Sequence, residues 1–363
     1  ADARADDDYC VPTVLESLEA SGHRPGHPAA HRDASVPTCH PEDGANRATP
    51  HSRAATPSLM PEITDAFTTN GYKLAALAAR VTPGVFAAGL ATPFGAGANF
   101  FSPERRAMIE RHLRRVDPTL RGLRLRRASQ QAFDFYARYW IESFRLPTLS
   151  KRVVDRGFTE DGYPQIVEAL REGNGVIIAL PHLGGWEWAG RWIANQGHEI
   201  TVVVEHLDPP ELFDWFVDLR SKLGMHVVPL GPKAGGAVMS ALRQNHIVCL
   251  LSDRDIGQSG PEVDFFGERT TLPGGAATIA LRTGAPIFPT AVYFTDRFDA
   301  HLGWVRMPIR AERQSKRLRD DVHRLTQDLA HELEILIRRA PSQWHLFQPN
   351  WPSDPGYADL AEK

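Results

Sequence analysis

The sequence predicts an α/β fold: a mostly parallel central sheet flanked by helices, preceded by a helical N-terminal portion. Three observations carry that expectation. Five short apolar runs, "GVIIALP", "EITVVVE", "HVVPL", "IVCLLSD" and "PIFPTAVYF", follow Pro164. Helical stretches at about 186–196, 209–223, 234–244 and 274–283 separate them. Before Pro164 the apolar residues recur with helical spacing. Runs that are apolar throughout indicate strands covered on both faces, as in parallel sheets joined by crossover helices.

The elements follow in chain order. Residues 1–57 are rich in His, Pro, Ala, Asp and Arg and show no hydrophobic period. Such a segment buries too little apolar surface to offset its ordering entropy, so a disordered or poorly ordered tail is expected. Residues 58–363 are expected to form one domain, with a helical part over 58–150 and an α/β part over 151–352. Helical spacing begins with Ile63, Phe67, Leu74, Leu77 and Val81. The stretch "TPGVFAAGLATPFGAGANFF" is apolar, rich in small residues and broken by Pro83 and Pro93, which predicts two short helices. Two settings fit them. They are buried against the domain, or they form a membrane-facing pair in which Phe100 and Phe101 lead into the cationic "PERRAMIERHLRRV". Helices are expected at 104–116 and 123–145. The second carries Phe133, Tyr136, Tyr139, Trp140 and Phe144, an aromatic stripe that reads as core. A last helix at 316–339 repeats Arg, Lys, Asp and Glu along a solvated face.

Composition narrows the function classes. The 363 residues carry a net charge of −3, so no basic field suggests nucleic acid as a partner. No window of about 18 uninterrupted apolar residues is present, so a single spanning helix is not expected. Cys10, Cys39 and Cys249 form no CxxC pair, and the chain reads as cytosolic rather than as a disulfide framework. "GQSGP" at 257–261 lacks the last glycine of a nucleophile elbow, and "GAGANF" at 95–100 lacks the third glycine of a dinucleotide loop. No Walker lysine and no HExxH occur. The His/Cys spacings of the tail match no zinc site, so no metal is expected.

What remains is a set of ionisable residues at strand ends. His182 follows "VIIALP", Glu205 ends "TVVVE", and Asp253 and Arg254 end "VCLLSDR". Three strands that each deliver a charge at the carboxyl end point to one polar site outside that edge of the sheet. His182 is the candidate base, because an imidazole titrates near neutrality and can take a proton from a hydroxyl. Glu187, five residues on, is its expected partner through a folded-back turn, and the intervening glycines are expected to let substrate approach the backbone. His206 reads as a loop residue.

"LPHLGGWEW", with its H-x-x-x-x-E spacing, resembles the signature of the glycerolipid-type acyltransferases, and within them the lipid A late acyltransferases. The blocks "LLSDRDIGQSGPEVDFFGERTTLPGGAATIALRTGAPIFP", "YARYWIESFRLP" and "WHLFQPNW" are similar to that group, above all to its actinobacterial phosphatidylinositol mannoside acyltransferase branch, over residues 62–352. Two positions depart: Gly185 stands where the family carries Asn, and Glu187 where the mannoside branch carries Asp. The resemblance implies an O-acyltransferase that moves palmitoyl from acyl-CoA to a sugar hydroxyl, the mannose 6-position of a phosphatidylinositol mannoside, with no cofactor beyond the donor. It implies a peripheral protein on the cytoplasmic side of the cell membrane, at an anionic lipid surface. His182 and Glu187 would be catalytic. Glu205, Arg220, Asp253 and Arg254 would contact the acceptor or support the site, and Phe265 and Phe266 would line the acyl chain. Acylation of another membrane lipid, or lipid binding without turnover, are the alternatives.

Overall fold

The computed structural model describes residues 71–360 apart from 72, 83 and 206–208. The expected tail over 1–57, the start of the helical spacing at Ile63 and Phe67, and His206 lie outside the described residues.

Among the described residues a helical segment at 73–81 leads into three helices, α1 (Gly84–Phe101), α2 (Pro103–Val116) and α3 (Gly122–Arg145). The expected break at Pro93 does not occur, and α1 is one helix with that proline inside it. A proline in mid-helix forfeits one backbone hydrogen bond. Here Ala87, Ala91 and Gly95, spaced by four, are buried, and they let α1 lie close on α3. A Cβ at Gly95 would stand 2.3 Å from an Asp134 carboxylate oxygen. That close contact outweighs the lost hydrogen bond. The rest of α1 remains open, with Phe86, Leu90, Phe94, Phe100 and Phe101 exposed.

The sheet then builds up. Two short helices, α4 (Lys151–Arg156) and α5 (Tyr163–Arg171), flank β1 (Phe158–Asp161). Then come β2 (Val176–Leu180), α6 (Trp186–Asn195), β3 (Ile200–Val204), α7 (Pro210–Lys222), β4 (Met225–Pro229), α8 (Ala234–Arg243) and β5 (Ile247–Leu251). A hairpin, β6 (Glu262–Phe265) and β7 (Glu268–Thr271), precedes α9 (Gly275–Thr283), β8 (Ile287–Phe294), β9 (His301–Val305) and α10 (Leu318–Arg339). The seven-stranded sheet has the order β1-β9-β8-β2-β5-β3-β4, and only the β8–β9 pair is antiparallel. The α/β reading therefore holds, and all five apolar runs are strands.

Both faces of the sheet are covered. From β2, Ile177 and Ala179 enter a core completed by α8, α9 and α10. Val176, Ile178 and Leu180 point the other way, into a core with α5, α6 and Leu146. This alternation of two buried faces explains why the strand sequence shows no polar positions.

Candidate active site

The site follows from the pairing of β2 with β5. Their register sets Leu180 opposite Leu251. Two residues beyond each lie His182 and Asp253, so the parallel pairing delivers them side by side. The imidazole Nδ1 lies 2.7 Å from Oδ1 of Asp253, and the His182 backbone N–H donates to Oδ2 at 3.0 Å. Asp253 is fully buried, whereas the His182 side chain is 24% exposed. A buried carboxylate on Nδ1 fixes the tautomer with Nδ1–H donated, and leaves the Nε2 lone pair as the basic position. Burial alone would raise the Asp253 carboxyl. The facing His182 ring, its hydrogen bond and the Trp344 N–H outweigh that and hold it below the usual carboxylate range.

Glu187 occupies a different place from the one expected. It sits in the first turn of α6, where the helix N-terminus favours a negative charge. Its carboxylate is gripped by Arg220 of α7, with Nη2 at 2.6 Å and Nε at 3.0 Å from Oε1, and accepts from the Tyr139 hydroxyl at 3.3 Å. Burial and the Glu187 carboxylate push Tyr139 well above its ordinary range, so it remains a donor. The partner of the imidazole is thus Asp253 and not Glu187. The H-x-x-x-x-E spacing positions a buried ion pair that ties α6 to α7 and α3. Trp186, between the two groups, meets His182 edge-on at 5.8 Å and Tyr139 at 4.3 Å between ring centroids.

The glycines also serve packing. Gly184 has φ +62, and a Cβ there would stand 1.8 Å from the Val292 carbonyl oxygen of β8. Gly185 donates its N–H to that same oxygen, and a Cβ at 185 would stand 2.5 Å from Nε2 of His301. The turn after β2 is drawn onto β8, and the space beside Gly185 is filled by His301.

Arg254 and Glu205, from the ends of the adjacent strands β5 and β3, pair at 2.8 Å beside the dyad. The three strand ends do converge. Phe265 and Phe266 meet the ring of Trp344, whose indole N–H donates to Asp253. Phe265 is fully buried and stacks on Trp351 at 5.6 Å, while Phe266 forms the β6–β7 turn with φ +53 and packs on Trp344. They are core residues of a tight hairpin. Of the aromatic stripe on α3, Phe133, Tyr139 and Phe144 are buried as expected, but Tyr139 also serves Glu187.

Sequence reasoning missed the segment 343–354, which closes the site from behind. The Trp344 indole N–H donates to Asp253 Oδ2 at 2.7 Å, and Asn350 Nδ2 donates to the Asp253 carbonyl at 3.0 Å. The His345 backbone N–H donates to the His182 carbonyl at 2.7 Å. The quoted "WHLFQPNW" was a visible signal, though nothing local in it shows which strand it meets. Among the described residues no group of three or more His, Cys, Asp or Glu is placed to hold a metal ion.

Comparison with known proteins gives this arrangement a family. A phosphatidylinositol mannoside acyltransferase of Mycobacterium tuberculosis (strain ATCC 25618 / H37Rv) is 39% identical over 228 residues, which cover 61% of this chain and 70% of that protein. One from Mycolicibacterium smegmatis (strain ATCC 700084 / mc(2)155) is 35% identical over 303 residues, covering 81% of this chain and 93% of that protein. A family model described as bacterial lipid A biosynthesis acyltransferase matches residues 63–353. The match runs from the helices before the sheet to the segment that returns to Asp253, and the chain belongs to the bacterial lipid A biosynthesis acyltransferase family.

Proposed function

We propose that this acyltransferase moves a palmitoyl group from acyl-CoA to a sugar hydroxyl of a phosphatidylinositol mannoside, the mannose 6-hydroxyl, with His182 as general base. The observation that carries the chemistry is the pair formed by a buried Asp253 and a part-exposed His182, with Nε2 left as the basic nitrogen. Nε2 takes the hydroxyl proton as the oxygen attacks the thioester carbonyl. The tetrahedral intermediate collapses, the C–S bond breaks, and the imidazolium returns its proton to the departing CoA thiolate. Asp253 holds the ring and stabilises the imidazolium while the charge exists. No covalent enzyme intermediate and no cofactor are needed for this sequence. The acceptor is supported by the names of the two mycobacterial relatives.

The Arg254–Glu205 pair stands beside the dyad, with polar groups suited to sugar hydroxyls or a phosphate. Arg220 and Glu187 support the wall that carries Trp186. The acceptor is a membrane lipid, so we place the protein peripherally on the cytoplasmic side of the membrane, with the exposed apolar face of α1 against it. No helix among the described residues is long and apolar enough to cross a membrane.

The test is transfer from palmitoyl-CoA to phosphatidylinositol mannosides in liposomes, read as CoA release and as acylated glycolipid. His182→Ala is expected to lower the rate by about 10²–10⁴ with unchanged circular dichroism. Wild-type turnover by that variant would remove His182 as the base. CoA release without glycolipid product would remove the acceptor assignment.

A further inference from the structure

We propose that Trp344 is a positioning residue for acyl transfer, acting through Asp253. Its indole N–H locks the carboxylate in the orientation that presents Oδ1 to the His182 ring. The proposal rests on His182 being the base, and its test separates the two.

The Asp253 carboxylate has no access to water. Oδ1 serves His182 Nδ1, and Oδ2 receives two donors, the His182 backbone N–H and the indole of Trp344. The indole contact is the shorter of these two, at 2.7 Å against 3.0 Å. Hydrogen bonds to an ionised carboxylate are about twice as strong as neutral ones. The backbone donor belongs to the same residue as the ring that must be oriented. Trp344 is therefore the donor that references the carboxylate to a separate part of the molecule.

That reference is rigid. The Trp344 ring packs against Phe265, Phe266 and Trp351, with centroids 5.8–6.3 Å away, and is 4% exposed. The backbone around it is tied to the turn after β2. Leu183 and Trp344 form an antiparallel bridge, Gly184 N–H donates to the Gln343 carbonyl, and His345 N–H donates to the His182 carbonyl. Asn350 then holds the Asp253 carbonyl from the same segment. One segment thus fixes both members of the dyad, His182 through its carbonyl and Asp253 through its carboxylate and its carbonyl.

An indole that only filled space would be replaced by phenylalanine with little kinetic effect. An indole that orients the carboxylate would not. Trp344→Phe keeps an aromatic ring and removes the N–H. We expect kcat to fall about 10- to 100-fold, the range lost with one hydrogen bond to a charged group, with KM for both substrates unchanged. The carboxylate, missing one donor, protonates at higher pH, so the acid limb of kcat moves to higher pH. In an Asp253→Asn background the same change is expected to cost almost nothing further, whereas a structural role would give additive losses. If Trp344→Phe is poorly folded, the wild-type protein labelled with 15N at tryptophan gives a second reading. The Trp344 indole proton is expected far downfield, and Asp253→Asn moves it upfield. Normal kcat and an unshifted acid limb in a folded Trp344→Phe, or an indole resonance indifferent to Asp253→Asn, overturns the proposal. If His182→Ala is inactive while Trp344→Phe is normal, the base survives and only the positioning role falls. If His182→Ala retains activity, the base itself falls.

Discussion

At the scale of single residues, two acids near one histidine have different work, and burial and partners separate them. Asp253 has the His182 ring as its partner, so its charge is coupled to the imidazole. Glu187 has Arg220, whose side chain is only 14% exposed. Removing one member of a buried ion pair strands the other and costs about 3–5 kcal/mol. Glu187→Gln is therefore expected to lower the melting temperature clearly, with a modest loss of kcat at temperatures where the protein stays folded. Asp253→Asn is expected to lower kcat by about 10²-fold or more, because it leaves the ring in the wrong tautomer. Melting curves and steady-state kinetics on both variants decide this. A Glu187→Gln protein of normal stability whose kcat falls as far as that of Asp253→Asn would return Glu187 to the imidazole. The sequence made His182 legible because it ends an apolar run. It hid the partner because Glu187 is near in sequence and Asp253 is near only through the register of β2 on β5.

Elements show the same division between local and non-local information. β2 and β8 are buried along their whole length, so their composition alone announces them. β1 reads Phe-Thr-Glu-Asp with three exposed positions, and only its pairing with β9 makes it a strand. Pro93 suggested a helix end, but contact of α1 with α3 decided otherwise. The C-terminal segment 343–354 has no regular period, and its fold depends on what it touches. Two buried histidines hold it. The His112 Nε2–H on α2 donates to the Gln348 carbonyl, and the His345 Nε2–H donates to that of Gly184. Burial lowers His112 to about 4, although Asp354 opposes the shift and Arg115 and Arg111 add to it. Burial lowers His345 to about 3, with the Gly184 carbonyl opposing, His182 adding and Asp253 opposing. In the unfolded chain both protonate near pH 6.5. The unfolded state therefore binds more protons between that value and the folded ones. Stability is fully present above about pH 6.5 and falls as the pH drops toward 4 and then 3, by several kcal/mol for the two rings together. Melting temperatures measured from pH 7 to 4 are expected to decline, and less steeply in His112→Gln or His345→Gln. A flat profile in the wild type would mean that neither ring is buried as neutral imidazole.

For the whole molecule, the question is how a chain whose described residues include no spanning helix meets a lipid acceptor. Leu74, Leu77, Val81, Phe86, Leu90, Phe94, Phe100 and Phe101 are all exposed on the helical segment at 73–81 and on α1. Phe86, Leu90 and Phe94 share one face at a spacing of four, beside the buried stripe of Ala87, Ala91 and Gly95. A soluble surface rarely carries so many apolar side chains together. The arginines of α2 divide into two groups. Arg111 and Arg115 are drawn to Asp354, and Arg115 also meets Glu268 and lies 3.9 Å over the Trp351 ring. They brace the segment that holds Asp253. Arg105 and Arg114 are exposed, and Arg106 reaches the Asn99 carbonyl at 3.4 Å. Each exposed cation contributes about 1 kcal/mol at an anionic surface, attenuated by salt. Each phenylalanine that becomes fully buried contributes about 1.5–3 kcal/mol and is indifferent to salt. On the proposed membrane placement, the apolar part is expected to dominate at physiological ionic strength. Co-sedimentation with liposomes containing phosphatidylinositol is expected to weaken with added salt without vanishing. Serine at Phe86, Phe94 and Phe101 together should remove the salt-resistant part. Glutamine at Arg105 and Arg114 should remove only the salt-sensitive part, and Arg111→Gln should lower stability more than binding. Unchanged sedimentation of the triple serine variant would mean that this apolar face meets another protein surface or a further part of the chain, and that the lipid is reached some other way.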